Sequence, residues 1–249
     1  MKGSYGKVSF FWVISVILSF LLFTACTPTR TETTTTPAPG ISEGEDLRTG
    51  QLVEKADMTL GVFMATPEFQ AFRDLLRNAR GVLIIPQLLK GAFVWGVSGG
   101  SGVFFARDPQ SNQWNGPAFY TVGGANFGLQ IGAEAAQVIL LAMTERGVDS
   151  LLANSVKLGG NIGVAVGPVG AGVDASTANL SADILMFSIA KGLYGGISLD
   201  GAVIAVRNDW NQVYYNQLGV KPSDILLRRA VTNPQAAPLA QNLSKAAKR

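Results

Sequence analysis

The stretch Leu158-Gly-Gly-Asn-Ile-Gly-Val-Ala-Val166 sets Leu158, Ile162, Val164 and Val166 on one side of an extended chain. Gly159, Asn161, Gly163 and Ala165 fall on the other. A period of two with one bulky side marks a β-strand. The theme recurs within residues 119–131, where Phe127, Leu129 and Ile131 alternate with Gly128 and Gln130, and with Gly124 across Ala125 and Asn126. Ile197, Leu199 and Val203 repeat it against Gly196, Ser198 and Ala202. Upstream, Gly81 leads into the apolar run Val82-Leu-Ile-Ile85, which Pro86 is expected to close. Most of the chain's 29 glycines lie between Gly91 and Ala205. A glycine inside a strand is about 0.5–1 kcal/mol less favourable than alanine, so about twenty would cost roughly 10–20 kcal/mol, comparable with a domain's whole net stability. They are therefore expected at turns, at bulges, or where a helix or second sheet comes close to the backbone. The fold expected is α+β: a strongly curled, Gly-rich antiparallel sheet or partial β-barrel, with two N-terminal helices and C-terminal helices packed on it.

The helices announce themselves by a different period. Leu52, Ala56, Leu60 and Phe63 repeat at helical spacing within residues 46–64, with Arg48, Glu54, Lys55 and Asp57 off that stripe. Thr66-Pro67-Glu68 opens a second helix as cap, helix-compatible proline and dipole-favoured acid. Phe69, Phe72, Leu76 and Ala79 form its buried face, while Arg73, Arg77 and Arg80 form a basic stripe near its C-terminal end, a placement the helix dipole favours, with a lipid head-group contact as the weaker alternative. Residues 148–156 read as a connecting helix through Leu151, Leu152 and Val156. Residues 209–216 and 223–231 read as terminal helices, the latter capped by Ser223. From Asn233 onward the two prolines and the basic residues Lys245, Lys248 and Arg249 suggest a frayed basic tail.

Composition excludes whole classes of chemistry. The 249-residue chain holds no histidine and one cysteine, and 47% of its residues are hydrophobic against 15% charged. Ser-His-Asp and Cys-His catalysis, His-ligated or four-cysteine zinc, intrachain disulfides and c-type haem attachment are therefore out, and a sizeable core is available. The glycine-rich runs Gly99-Gly-Ser-Gly102 and Gly167-Pro-Val-Gly-Ala-Gly172 lack the strand–turn–helix context and downstream acid of a nucleotide site. Asp174, Asp183 and Asp200 have no calcium-loop spacing. No cofactor or metal is expected.

The N-terminus decides the compartment. Met1 to Lys7 form a basic n-region and Val8 to Phe23 an uncharged apolar stretch short for a membrane span. Phe23-Thr-Ala-Cys26 resembles a bacterial lipobox, in which a small residue precedes a cysteine that is acylated on sulfur and becomes the mature N-terminus. Residues 1–25 are then a lipoprotein signal peptide and Cys26 the attachment site for palmitate-like chains. Thr27 after it resembles outer-membrane sorting, facing the periplasm. Each buried lipid methylene contributes about 0.8 kcal/mol, so two or three acyl chains anchor the protein firmly. Removing Lys2 and Lys7 leaves a net charge of about +1, which gives no reason to expect nucleic acid as a partner. Residues 26–45 form a Thr/Pro-rich tether without apolar periodicity, residues 46–235 the folded domain, and residues 236–249 a flexible basic tail.

The domain resembles the SYLF family of lipid-binding proteins. The matching stretches include Gly81-Val-Leu-Ile-Ile-Pro86, Lys90-Gly-Ala-Phe93, Ser98-Gly-Gly-Ser-Gly-Val103, Trp114-Asn-Gly-Pro-Ala-Phe-Tyr120 and Phe127-Gly-Leu-Gln-Ile-Gly132. Lys157-Leu-Gly-Gly160, Gly167-Pro-Val-Gly170 and Ala190-Lys-Gly-Leu-Tyr-Gly-Gly196 follow in family order. Eukaryotic members bind phosphoinositides or actin filaments, partly through an N-terminal amphipathic helix, and bacterial members resemble envelope lipoproteins. The family often has Ser-Arg-Ser-Lys before Gly-Leu; here Ser188-Ile-Ala-Lys191 lacks the arginine, removing one cation from that motif.

The resemblance implies a non-enzymatic, membrane-anchored envelope module that binds anionic phospholipid head groups. Lys90 and Lys191, which lie in the best-matched motifs, are its candidate head-group contacts, with Trp95 as an interfacial aromatic and Arg73, Arg77 and Arg80 as the basic stripe. The alternative is a scaffold that docks an envelope protein partner or a second copy. An enzyme would have to use Asp, Glu, Lys or Ser, with Glu134 or Lys191 at its centre, yet nothing adjacent activates Lys191. Glu134, in an apolar stretch, is expected to hydrogen-bond Gln130 or Gln137.

Overall fold

The computed structural model describes residues 43–92, 95–127, 132–160, 162–179, 181–190, 193–194, 199 and 201–248. Helix α1 spans Glu43–Ala65 and buries Thr49, Val53, Ala56, Leu60 and Phe63. A 3-10 turn, Pro67–Phe69, leads into α2, Gln70–Leu76. The expected burial of Phe69, Phe72, Leu76 and Ala79 holds. Thr66, expected to cap α2, instead donates its hydroxyl to the Val62 carbonyl at 2.7 Å and so finishes α1.

Four long strands follow: β1 (Gly81–Ala92), β2 (Trp95–Arg107), β3 (Trp114–Phe127) and β4 (Gly132–Ala142). Helix α3 (Glu145–Leu152) and the short strands β5 (Ser155–Lys157) and β6 (Val164–Val166) come next. Then come β7 (Ile184–Ala190), β8 (Leu193–Tyr194) and β9 (Val203–Val206). The chain ends in α4 (Asn208–Tyr215), α5 (Pro222–Leu226) and α6 (Ala237–Ala246). The strands form one sheet in the order β5-β9-β3-β2-β1-β4-β7-β6, with β8 beside β7. Laid flat at ~4.8 Å spacing, the two edges would lie roughly 34 Å apart. Yet Lys157 of β5 is joined to Val164 of β6 by a segment that reaches at most roughly 25 Å. The sheet is therefore curled, as expected. One pairing departs from the antiparallel expectation: β6 runs parallel to β7, because the chain crosses over between them.

Both faces of the sheet are packed. Val82, Ile84, Val103, Phe105, Phe119, Ile139, Leu141, Leu185 and Phe187 meet α1, α2, α4 and α6 in one cluster. There Phe187 stands edge-on to Phe72 and Phe69, with ring centroids 5.3 and 6.2 Å apart. The alternate residues Leu83, Ile85, Leu88, Phe104, Tyr120, Val138, Leu140, Met186 and Ile204 form a second cluster with α3 and α5. It draws on strands from β9 round to β7, which makes it the inside of the curl. Tyr120, wholly buried there, donates its hydroxyl to the Leu151 carbonyl, and burial pushes its ionisation well above the ordinary tyrosine value. Both clusters lie within one unit, Pro39–Arg249, which thus carries its own core.

Several sequence expectations are corrected. Pro86 does not end β1: the register shifts between Ile84 and Gln87 toward β2, and between Ile85 and Leu88 toward β4. A bulge on both sides lets a residue with no N–H sit in a central strand. Gly100 and Gly102 of β2 lie against that bulge, where an added Cβ would stand 2.5 Å from the Gln87 carbonyl and 2.7 Å from that of Ile84. At these two glycines the expected close approach is made by neighbouring strand backbone, not by a helix. Residues 158–166 are not one strand; the chain turns at Gly159, φ +73°, Leu158 and Ile162 meet only in an isolated bridge, and Val164–Val166 alone forms a strand. Leu158 and Ile162 are buried, whereas Val166 is exposed. Val203 points outward while Ala202 and Ile204 point in, the reverse of the face expected for it. The expected 148–156 helix begins earlier and ends at Leu152, leaving Val156 to β5. The expected 223–231 helix is the short α5 with Lys221, not Ser223, at its cap position. The tail expected at residues 236–249 contains α6, whose Leu239, Leu243 and Ala246 are buried against the helical face. Three apolar residues at helical spacing, masked by two prolines at the helix start, carry that packing.

Candidate functional site

The structure separates the sequence-derived candidates. Arg73 donates to the Thr66 carbonyl at 2.7 Å, the Met64 carbonyl at 3.3 Å, the Pro67 carbonyl and Gln70 Oε1. It thereby satisfies the carbonyl-rich C-terminus of α1, the preceding helix. Arg77 pairs with Asp74 at 2.9 Å and Arg80 with Glu145 at 2.8 Å. Lys90 stands at the other end of β1 from Arg80, roughly 30 Å along the strand. The arginines and Lys90 therefore do not share a face. Lys191, Cys26 and the side chain of Trp95 lie outside the described residues.

Lys90 alternates with Leu88 of the inner cluster, so it faces the inside of the curl. Its register partners are Glu134 on β4 and Ser98 on β2. Partial burial lowers its ionisation from the ordinary lysine value, and the Glu134 carboxylate opposes that shift. Glu134 thus meets a cation; of the two glutamines expected to bond it, Gln137, an odd number of residues along, lies on the other side of β4, and Gln130 lies outside the described residues. This half-buried lysine–glutamate pair links the neighbouring strands β1 and β4.

A second polar knot sits at the opposite end. Asp183, 4% exposed, accepts from Arg146, from the Thr144 hydroxyl at 2.7 Å and from the Gly163 amide at 3.1 Å. The Arg146 guanidinium chiefly holds its carboxyl down, at about 2. It ties the start of α3, the approach to β6 and the start of β7 together, and it offers no free lone pair to a substrate.

The outward surface of α1 and α6 is of a different kind. Leu47, Met58 and Val62 lie within about 60° of one another around α1 and are exposed, Met58 by 63% and Val62 by 41%. Exposed Arg48 and Lys55 border them on one side, and exposed Glu54, four residues before Met58, on the other. Along the other border runs a groove of about 270 Å³ lined by Asp57, Leu60, Gly61, Met64, Asn242, Lys245 and Ala246. Lys245 and Lys248 are exposed at the end of α6. Apolar side chains with cations beside them suit an interface between hydrocarbon and charged head groups. The sequence carried one signal of this surface, Met58 and Val62 on the wrong side of the buried stripe. Its other half was hidden by reading α6 as a frayed tail.

Among the described residues no group of His, Cys, Asp and Glu could hold a metal ion. No described helix is long and apolar enough to cross a membrane.

A family model described as "Ysc84: Las17-binding protein actin regulator" matches residues 123–246, a span running from β3 to the end of α6. An SH3 domain-containing protein of Schizosaccharomyces pombe is 31% identical over 212 residues, covering 82% of this chain and 46% of its own length. The protein YSC84 of Saccharomyces cerevisiae is 33% identical over 178 residues, 70% of this chain and 37% of its own. The human SH3 domain-containing YSC84-like protein 1 is 30% identical over 167 residues, 66% of this chain and 48% of its own. The chain thus spans less than half the length of these relatives.

Proposed function

The chain belongs to the Ysc84 (SYLF) family, and from that premise we propose that it is a lipid-anchored, non-enzymatic module of a bacterial envelope that binds phospholipid through the outward face of α1 and α6. The observation that carries this reading is Met58 and Val62 exposed on α1 beside Lys55, with Lys245 lining the adjoining groove and Lys248 exposed three residues further along the chain. Acylation of Cys26 supplies the anchor, on the outer membrane and facing the periplasm. Among the described elements α1 stands nearest to Cys26 in sequence, which favours that helix as the surface that meets the bilayer.

Magnitudes assign the labour. Burying the exposed part of two apolar side chains contributes about 1 kcal/mol each, and each lysine near an anionic surface about 1 kcal/mol. The total of about 5 kcal/mol corresponds to a dissociation constant in the sub-millimolar range. The face alone orients the domain weakly and reversibly; the acyl chains retain it, and the tether makes the face's effective concentration high. The absence of histidine from the sequence supports the non-enzymatic reading.

Flotation of the unit Pro39–Arg249, which has no acyl site, on vesicles with and without anionic lipid tests the proposal. Binding that rises with anionic lipid and falls with salt supports it; no association with any vesicle removes lipid recognition. A second reading, docking of a protein partner or a second copy, draws on the family's description as Las17-binding. It predicts cross-linked or larger species by light scattering where lipid binding alone predicts a monomer.

A further inference from the structure

The groove beside Met58 and Val62 has a chemistry of its own. Its floor is apolar, built from buried Leu60 and Ala246 with half-buried Met64. Its polar groups are of both signs: the Asp57 carboxylate, the Lys245 ammonium and the Asn242 amide. Asn242 donates to Asp57 Oδ1 at 2.8 Å and Oδ2 at 3.1 Å, which fixes the carboxylate while leaving acceptor lone pairs. Among the described residues Asp57 and Lys245 form no ion pair with each other, so each charge faces the groove without neutralising its neighbour. Gly61 adds the space, since a Cβ built there meets nothing within 4 Å.

A ligand that satisfies both charges carries an anion and a cation a short link apart. We infer that the groove takes the zwitterionic head of an aminophospholipid, its primary ammonium on Asp57 and its phosphate on Lys245. The first glycerol and acyl carbons lie on Leu60, Met64 and Ala246. The ammonium is recognised through its N–H donors, which a trimethylated choline head lacks. The size agrees, because the groove is smaller than a pocket for a drug-sized molecule. So does the position, since exposed Met58 and Val62 flank it on the face proposed to meet the bilayer. The assignment rests on that lipid-binding reading and adds a head-group preference to it.

The test holds anionic phosphatidylglycerol constant in vesicles and exchanges phosphatidylethanolamine for phosphatidylcholine, using the unit Pro39–Arg249. About tenfold tighter binding to the ethanolamine vesicles is expected. Asp57→Asn and Gly61→Leu each abolish that preference and leave the phosphatidylglycerol-dependent binding in place. Gly61→Leu fills the groove from an exposed helical position without straining the fold, which a thermal melt checks. Equal binding to both vesicle types, with the anionic dependence intact, overturns the head-group assignment alone. No vesicle binding at all overturns the lipid reading together with it. Glycerophosphoethanolamine in solution is expected to compete weakly; full competition overturns the lipid source in favour of a soluble phosphoamine.

Discussion

Asn242 on the last helix donates to both carboxylate oxygens of Asp57 on the first, at 2.8 and 3.1 Å across 185 residues of sequence. That bond ties α6 to α1, and beneath it Leu239 and Leu243 are wholly buried with Leu60 and Phe63. The C-terminus is therefore part of the core. Leu243→Ala is expected to destabilise the domain by about 2–5 kcal/mol through lost apolar burial and the cavity left behind. Urea unfolding measures it; a change below 0.5 kcal/mol would restore the picture of a dispensable tail.

Asp183 gives the fold an acid-sensitive joint. Its folded-state ionisation lies at about 2, below the ordinary carboxylate value of 3.8. Its stabilising contribution is therefore complete above about pH 4 and is lost as pH falls toward 2. Asp183→Asn leaves the solvent-exposed Arg146 and the Thr144 hydroxyl without their acceptor charge, and a loss of about 1–2 kcal/mol at neutral pH follows. Denaturant midpoints between pH 5 and pH 2 should fall for the natural protein and stay flatter for the variant. Parallel curves would contradict the role given to this carboxylate.

Two glycines should respond to the same substitution with opposite sign. An added Cβ at Gly167 would stand 2.2–2.6 Å from the Phe187 ring, which Phe69 and Phe72 hold in place. Gly167→Ala is expected to cost about 1–3 kcal/mol. Gly61 is exposed inside α1 with open space around it, so Gly61→Ala should add about 1 kcal/mol of stability. Thermal melts of the pair decide the matter, and equal shifts would refute the packing argument.

How much of this was legible in the sequence depended on where the signal was local. The stripe of Ala56, Leu60 and Phe63 and the face of Phe69 and Phe72 obey helical spacing, and both helices lie where that spacing puts them. The curled sheet was legible because strands leave a period of two. Pro86 misled because a proline reads as a stop unless a bulge on both sides admits it, and bulges leave no periodic trace. Residues 158–166 misled for the converse reason: alternation survived where Gly159 turned the chain. The basic stripe Arg73, Arg77 and Arg80 suited the dipole at its helix's C-terminal end first and a head-group contact second. Asp74, the i,i+3 partner of Arg77, was legible in the spacing, whereas the α1 carbonyls that hold Arg73 and the Glu145 that pairs with Arg80 come from tertiary packing. Lys90 was singled out, but its register partner Glu134 depends on which strands pair.

The anchor makes a separate prediction. Cys26→Ser should move the protein from the membrane to the soluble fraction, or leave its leader uncleaved, because weak face contacts of about 5 kcal/mol do not replace acyl chains. Fractionation of cells together with mass spectrometry of the mature N-terminus reads it. An unmodified sulfur in the natural protein would remove the anchor from the account.

The central claim is that the outward side of α1 meets the bilayer, and flotation of Met58→Asp/Val62→Asp within the unit Pro39–Arg249 tests it most directly. Both side chains are exposed, so the variant keeps its fold, and its affinity for anionic vesicles is expected to fall at least tenfold at an unchanged melting temperature. Flotation equal to that of the unsubstituted unit would contradict the claim.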